Sequence, residues 1–173
     1  SGARSVLKKV RLARQTAKER HASIGELHML SFLKHRNVLK YKGSWIERGH
    51  CVCIVVELCE AGDLMTQLRL RVPQNLFFTE DQLQEMAIQI ASGLQYLHSN
   101  NITHRDMKSA NILITGEGCL KLADFGLAAI LDGPDGTTSA MVGTPGYMSP
   151  DVVLERSYGV KNDIWGLGCI LYE

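Results

Sequence analysis

The chain has 173 residues, 45% of them hydrophobic, and a formal net charge of +1. That length allows one domain with a sizeable core, and the near-neutral charge gives no reason to expect nucleic acid or a membrane surface as its main partner. The sequence has no apolar run of membrane-spanning length, and its basic start over residues 1–9 does not lead into a signal-peptide core.

Residues 5–12 carry apolar side chains that partly alternate with polar ones, which predicts a strand. Over 17–33, Ile24, Leu27, Leu30 and Leu33 recur at helical spacing among charges, the pattern of an amphipathic helix. Strands are predicted at 38–46 and 51–58, joined around Glu47-Arg48-Gly49-His50. Ala61-Gly62 breaks the second, and Asp63 can cap a short helix beginning near Leu64. Thr79-Glu80-Asp81-Gln82 opens a longer helix through His98, with Leu83, Met86, Ile90, Leu94 and Leu97 as its apolar stripe. Two short apolar runs then flank Gly116-Glu117-Gly118 and predict a hairpin. The polar segment 126–148 has little apolar periodicity and reads as a mobile loop. Residues 163–172 predict the first turns of a buried helix.

Cys51, Cys53, Cys59, Cys119 and Cys169 are an odd set in apolar surroundings, without paired metal-ligand spacing. Reduced, mostly buried thiols are expected. Cys51 and Cys53 fall on one face of a predicted strand, where burial is commoner than a zinc site lacking its second ligand pair.

The chemistry concentrates in His104-Arg105-Asp106-Met107-Lys108-Ser109-Ala110-Asn111 and, after the hairpin, in Asp124-Phe125-Gly126. Either motif alone is weak evidence, but their order and separation are informative, because a hairpin between them lets Asn111 and Asp124 approach one ion. Phosphoryl transfer needs a carboxylate that orients the attacking hydroxyl and oxygen ligands for magnesium. Asp106 suits the first task, and Asn111 and Asp124 suit the second. Solvated surface acids are the bland alternative.

With Val6-Leu7-Lys8 and Glu26 before these motifs and Gly143-Thr144-Pro145-Gly146-Tyr147-Met148-Ser149-Pro150 after them, the whole chain resembles the catalytic domain of eukaryotic serine/threonine protein kinases. It is most similar to the never-in-mitosis-A-related (NEK) kinases. That likeness rests on residues 8–16 and 57–64, on Met141-Val142-Gly143-Thr144-Pro145, and on Ser157-Tyr158-Gly159 with Asp163-Ile164-Trp165. The resemblance implies an α+β, protein-kinase-like bilobal fold. Residues 1–58 would be a partial β-rich N-lobe lacking the glycine-rich loop, 59–63 the hinge, and 64–173 an incomplete, mainly helical C-lobe with its activation segment at 124–151.

The resemblance also implies ATP and Mg2+ as cofactors. Lys8 would hold the α- and β-phosphates and pair with Glu26, although as isolated residues the two read more readily as solvated strand and helix charges. Val6 and Leu113 would sandwich the adenine, Val56 would be the gatekeeper, Glu57 to Cys59 would offer backbone groups, and Asp63 would contact the ribose or cap its helix. Asn111 and Asp124 would be the metal ligands. Asp106 would be the catalytic base and Lys108 would stabilise charge on the transferred phosphate, a serine/threonine pattern that Thr144 supports by bridging to the substrate platform. His104 and Phe125 would pack in a column with Leu30 and Tyr41, and Asp163 would anchor the backbone at His104 and Arg105.

Arg105 beside Asp106 suggests control by phosphorylation, through an activating kinase or autophosphorylation at Thr137, Thr138 or Ser139. Ala140, two residues before Val142, stands where many relatives carry a phosphorylatable residue, so control through Ser139 and absence of phosphate control both stay open. Asp151 replaces the relatives' glutamate, and Val6 replaces a commoner alanine. The implied function is transfer of the ATP γ-phosphate to a serine or threonine of a protein substrate, in the cytoplasm, with cytoskeletal association a further implication of the family. A catalytically inactive, kinase-derived scaffold or fragment acting through protein binding is the alternative, and a small-molecule phosphotransferase of related fold is a third reading.

Overall fold

The computed structural model describes residues 4–11, 16, 25, 27–29, 31–48 and 51–173. Strand β1 (Ser5–Arg11) and strand β2 (Tyr41–Glu47) each pair antiparallel with the central β3 (Cys51–Glu57), giving the order β1-β3-β2. β3 is in the middle because its run Cys51-Val52-Cys53-Ile54-Val55-Val56 is apolar on both faces, as a strand covered on both sides must be. Val52, Ile54 and Val56 pack with Leu39 and Ala123, against Val10, Leu27 and Leu113. The opposite face carries Cys51 and Cys53, both buried and unpaired. Within the predicted helix at 17–33, Leu27, His28, Met29, Ser31 and Phe32 are helical; Ile24, Glu26 and Leu30 lie outside the described residues.

One boundary differs from the sequence reading. Val38 and Leu39 do not begin β2 but cross to the following layer. Leu39 N–H donates to Leu122 O and Leu122 N–H to Asn37 O, each at 2.9 Å, and Val38 forms a parallel bridge with Leu122. An apolar run reads the same in the sequence whichever partner it takes.

The second part is mainly helical. Helix α1 (Leu64–Arg71) starts at Asp63, whose carboxylate accepts from Thr66 N at 2.8 Å. Helix α2 (Glu80–Ser99) starts at Thr79 with a complete capping box: Gln82 N–H donates to Thr79 Oγ1, and Thr79 N–H to the Gln82 side chain. Its inner stripe Ile90, Leu94 and Leu97 meets Val38, Ile112, Leu122, Phe125 and Ile170 in the principal core. Short strands β4 (Ile102–Thr103) and β7 (Ala129–Ile130) pair with each other, as do β5 (Ile112–Ile114) and β6 (Leu120–Leu122). The β5–β6 turn passes through Gly118 at φ 80°, a conformation that suits glycine.

Helix α3 (Pro150–Val153) and helix α4 (Lys161–Tyr172) close the described chain. Asp163, Gly166 and Ile170 of α4 are buried, whereas Ile164, Trp165 and Tyr172 are exposed. The segment read as a mobile loop is tied near its start and in its middle: β7 pairs with β4, and Thr138 bridges to Tyr158. Both ties are long-range, so local periodicity carries no trace of them. Among the described residues no helix is long and apolar enough to cross a membrane.

Candidate active site

The site is built on the loop between β4 and β5. Asp163, fully buried at the start of α4, holds this loop from below: its Oδ2 accepts from His98 Nε2 (2.9 Å), Thr103 Oγ1 (3.1 Å) and His104 N (2.9 Å), and its Oδ1 from Arg105 N (2.9 Å). This hold lets Arg105 sit at φ 66°, a left-handed conformation costly for a non-glycine residue. His104 is buried, its Nδ1 accepting from Asp106 N at 3.3 Å and its Nε2 donating to Ala123 O at 3.0 Å, a tautomer assigned from the network. Its ring lies 5.0 Å from that of Phe125, and Tyr41 packs against the same core. The Leu30 position of the expected column is outside the described residues.

Above this base Asp106 is the centre of a closed network. Lys108 Nζ donates to its Oδ2 at 2.7 Å, Thr144 Oγ1 donates to its Oδ1 at 2.6 Å, and Asn111 Nδ2 donates to its Oδ2 at 3.0 Å and to its backbone oxygen at 2.8 Å. Lys108 also donates to Thr144 Oγ1 at 2.8 Å, so residues 38 apart in sequence, Asp106 and Thr144, share one cation. Burial opposes ionisation of Asp106, but the hydrogen bonds from Lys108, Thr144 and Asn111 outweigh it and hold the carboxyl below its ordinary value. Asp106 is therefore an oriented anion at neutral pH.

Asn111 and Asp124 leave the same end of the β5–β6 hairpin, since Ala123 N–H donates to Asn111 O at 2.9 Å. Asp124 is exposed at φ 63°, and among the described residues its Oδ1 accepts a long 3.4 Å contact from Gly126 N. Asn111 turns its amide nitrogen to Asp106, which leaves its carbonyl oxygen as the ligand-type atom. Two hard oxygen donors at one hairpin end fit a magnesium ion bound together with substrate phosphates.

Lys8 lies mid-β1 opposite Ile54, on the face that carries Val6 and Val10. Val6 pairs with Val56, while Val56, Cys59, Leu113 and Ala123 share one apolar cluster. Burial, first, and then the nearby Glu57 charge push the Cys59 thiol up to about 11, so it stays a neutral packing group. Both oxygens of Asp63 are taken by Thr66, one by its N–H and one by its hydroxyl, each at 2.8 Å. Asp151 finds a local, exposed partner in Arg156 at 3.9 Å, a pair of little energetic weight.

Sequence reasoning missed a largely buried pair. Lys121 on β6 meets the Glu57 carboxylate at 3.1 Å, and the same carboxylate accepts from Lys40 N at 2.7 Å. This ties the end of the first sheet to the hairpin that carries Asp124. Nothing in either local sequence signals the pairing.

The model for the protein kinase domain matches residues 1–173. The chain belongs to the protein kinase domain family. Relatives of the chain include serine/threonine-protein kinase Nek3 of Oryza sativa subsp. japonica, 44% identical over 170 residues, covering 98% of this chain and 28% of the relative. Serine/threonine-protein kinase Nek4 of Mus musculus is 40% identical over 172 residues, covering 99% of the chain and 22% of that protein. Serine/threonine-protein kinase Nek5 of Homo sapiens is 37% identical, covering 97% and 23%. The chain thus spans about a quarter of the length of these relatives, and they match the NEK resemblance read from its motifs.

Proposed function

We propose that this chain transfers the γ-phosphate of ATP to serine or threonine hydroxyls of a protein substrate. The observation that carries the reading is the closed network of Asp106, Lys108, Thr144 and Asn111. Asp106, kept anionic, aligns the acceptor hydroxyl and receives its proton as the phosphoryl group moves. Lys108 stands beside it to balance charge that develops on the phosphoryl oxygens. Thr144 couples this pair to the segment that would present the substrate, which supports serine/threonine over tyrosine acceptors.

Magnesium, when bound, neutralises phosphate charge, and Asn111 with Asp124 would hold it. Lys8 would hold the α- and β-phosphates, with Glu26 as its partner. Val6, Val56 and Leu113 would enclose the adenine, Glu57 to Cys59 would offer it backbone groups, and Asp63 would sit beside the ribose. Residues 59–63 would then act as the hinge between lobes. A cytoplasmic setting with cytoskeletal contacts follows only from the family likeness and is part of the same proposal.

Thermal unfolding with and without nucleotide tests the binding half of this reading. A ligand at 100 times its dissociation constant stabilises the fold by about 2.7 kcal/mol. The expected result is a midpoint that rises with ATP only when magnesium is present, followed by phosphoserine or phosphothreonine in a co-incubated protein acceptor. A cooperative transition blind to magnesium ATP would overturn it.

A further inference from the structure

The buried pair of Lys121 and Glu57 lies where three parts of the proposed nucleotide site meet. Lys121 stands opposite Leu113 in the β5–β6 ladder, so its side chain leaves the same face of the hairpin as the residue assigned to the adenine floor. Its ammonium reaches the Glu57 carboxylate at 3.1 Å, and Glu57 opens the stretch whose backbone would meet the adenine. Asp124 follows on the same arm of the hairpin. The two side chains are 11% and 18% exposed, so salt and water screen their attraction weakly. On its other side Glu57 is fixed by Lys40: Lys40 N–H donates to the same carboxylate oxygen at 2.7 Å, and Glu57 N–H donates to Lys40 O at 2.9 Å.

The hairpin is joined to residues 57–63 in two different ways. At its turn end the backbone makes the join: Ala61 N–H donates to Ile114 O at 3.1 Å, Ile114 N–H to Gly62 O at 2.8 Å, and Gly116 N–H to the Glu60 carboxylate at 3.1 Å. Nearer Asp124 the backbone bonds run elsewhere, from Leu122 to Asn37 and Leu39 and from Ala123 to Asn111. There the link to Glu57 is the Lys121 side chain. We propose that Lys121 is a positioning residue for adenine binding: through Glu57 it sets the spacing between the backbone at 57–59 and the floor at Leu113, and so governs nucleotide affinity and not the rate of transfer. The inference rests on the kinase reading above. Asn111 and Asp124 are kept in place by the backbone bonds just named, which leaves the transfer step indifferent to Lys121.

The test uses the intact protein and two probes: adenosine, which carries only the base and the ribose, and magnesium ATP. The adenosine Kd by calorimetry, and kcat and KM for magnesium ATP with a protein acceptor, are measured for wild type, Lys121→Met, Glu57→Gln and the double variant. Methionine removes the charge but keeps most of the stem, and glutamine keeps an oxygen for Lys40 N–H. Each single variant is expected to weaken adenosine binding roughly tenfold, within the range by which residues that touch no ligand alter affinity, and to raise the KM for ATP alike. kcat should stay within about twofold. Because either change breaks the same pair, the double variant should also sit near tenfold, not at the roughly hundredfold of independent effects. It removes both charges together, so no unpaired buried charge remains to unfold the protein.

Wild-type adenosine affinity in Lys121→Met overturns the proposal. A double variant near a hundredfold does so too, since the two side chains would then act separately. Affinity and kcat that fall together, with amide protection lost along α2, show a merely structural pair and overturn it as well. Wild type that binds adenosine but transfers no phosphate removes the kinase reading alone, and the affinity cycle still decides the role of Lys121. Wild type that binds neither adenosine nor magnesium ATP removes both.

Discussion

Replacing Asp163 by asparagine perturbs the catalytic loop at one defined bond. Asparagine has nearly the same shape but a single acceptor oxygen. In the orientation that loses least, this oxygen keeps the side where His98, Thr103 and His104 donate, and the amide nitrogen is turned to the Arg105 N–H. The variant then lacks one hydrogen bond to a charged acceptor in a fully buried site, a loss of about 1.5–3 kcal/mol. For a domain whose total stability is about 5–15 kcal/mol this is a large share. At roughly 2–4 °C per kcal/mol for a chain of this size, the unfolding midpoint should fall by about 3–12 °C. The released amide belongs to Arg105, held at φ 66° directly before Asp106, so the Arg105 amide should lose exchange protection and kcat should fall with it. Thermal unfolding and hydrogen exchange resolved at Arg105 measure both effects. An unchanged midpoint together with an unchanged Arg105 amide would refute the anchoring argument.

Lys108→Met removes a bond that holds Asp106 ionised while burial, which disfavours its charge, remains. Because the folded-state carboxyl lies below its ordinary 3.8, its stabilising effect is present above that value and is lost as pH falls through the lower folded value. In the variant the folded pKa moves up, so the stability gap to wild type should open as pH rises through the wild-type folded value below 3.8 and reach its full size above the variant's higher value in denaturant titrations; a gap independent of pH would count against the network. Gly166→Ala would set a Cβ 2.6 Å from Met107 Cβ and 3.0 Å from Met107 O. It should cost about 1–3 kcal/mol and depress turnover by pushing α4 from the catalytic loop, and an unaltered melting curve would sink that prediction. Thr79→Ala, far from the site, should remove the α2 capping box at a cost of about 1 kcal/mol with kcat unchanged, checked by unfolding and turnover on the same sample.

What could be read in the sequence was what depends on neighbours. Thr79 and Gln82 mark the start of α2 because a capping box is a local pattern, and Gly118 marks the β5–β6 turn because few residues tolerate its φ of 80°. The two motifs around Asp106 and Asp124 were legible because each is a short string of chemically demanding residues and the hairpin between them is local too. Partners across long separations were not legible. Lys121 and Glu57 are 64 positions apart by number, and neither residue type announces a buried pair. The Tyr158 contact with Thr138 and Ala140 ties down a polar segment whose composition suggested mobility, yet an isolated backbone bridge needs no apolar periodicity. Val38 and Leu39 were given to the wrong sheet because an apolar pair fits either interface.

Single-turnover transfer of γ-labelled phosphate from magnesium ATP to a protein acceptor, run with wild type and Asp106→Asn side by side, reads the chemistry directly. Wild type should label serine or threonine. Asp106→Asn should be slower by about 10²–10⁴-fold, the range for loss of a positioned proton acceptor, with nucleotide affinity within about twofold. Undiminished transfer by Asp106→Asn would contradict the role given to that carboxylate.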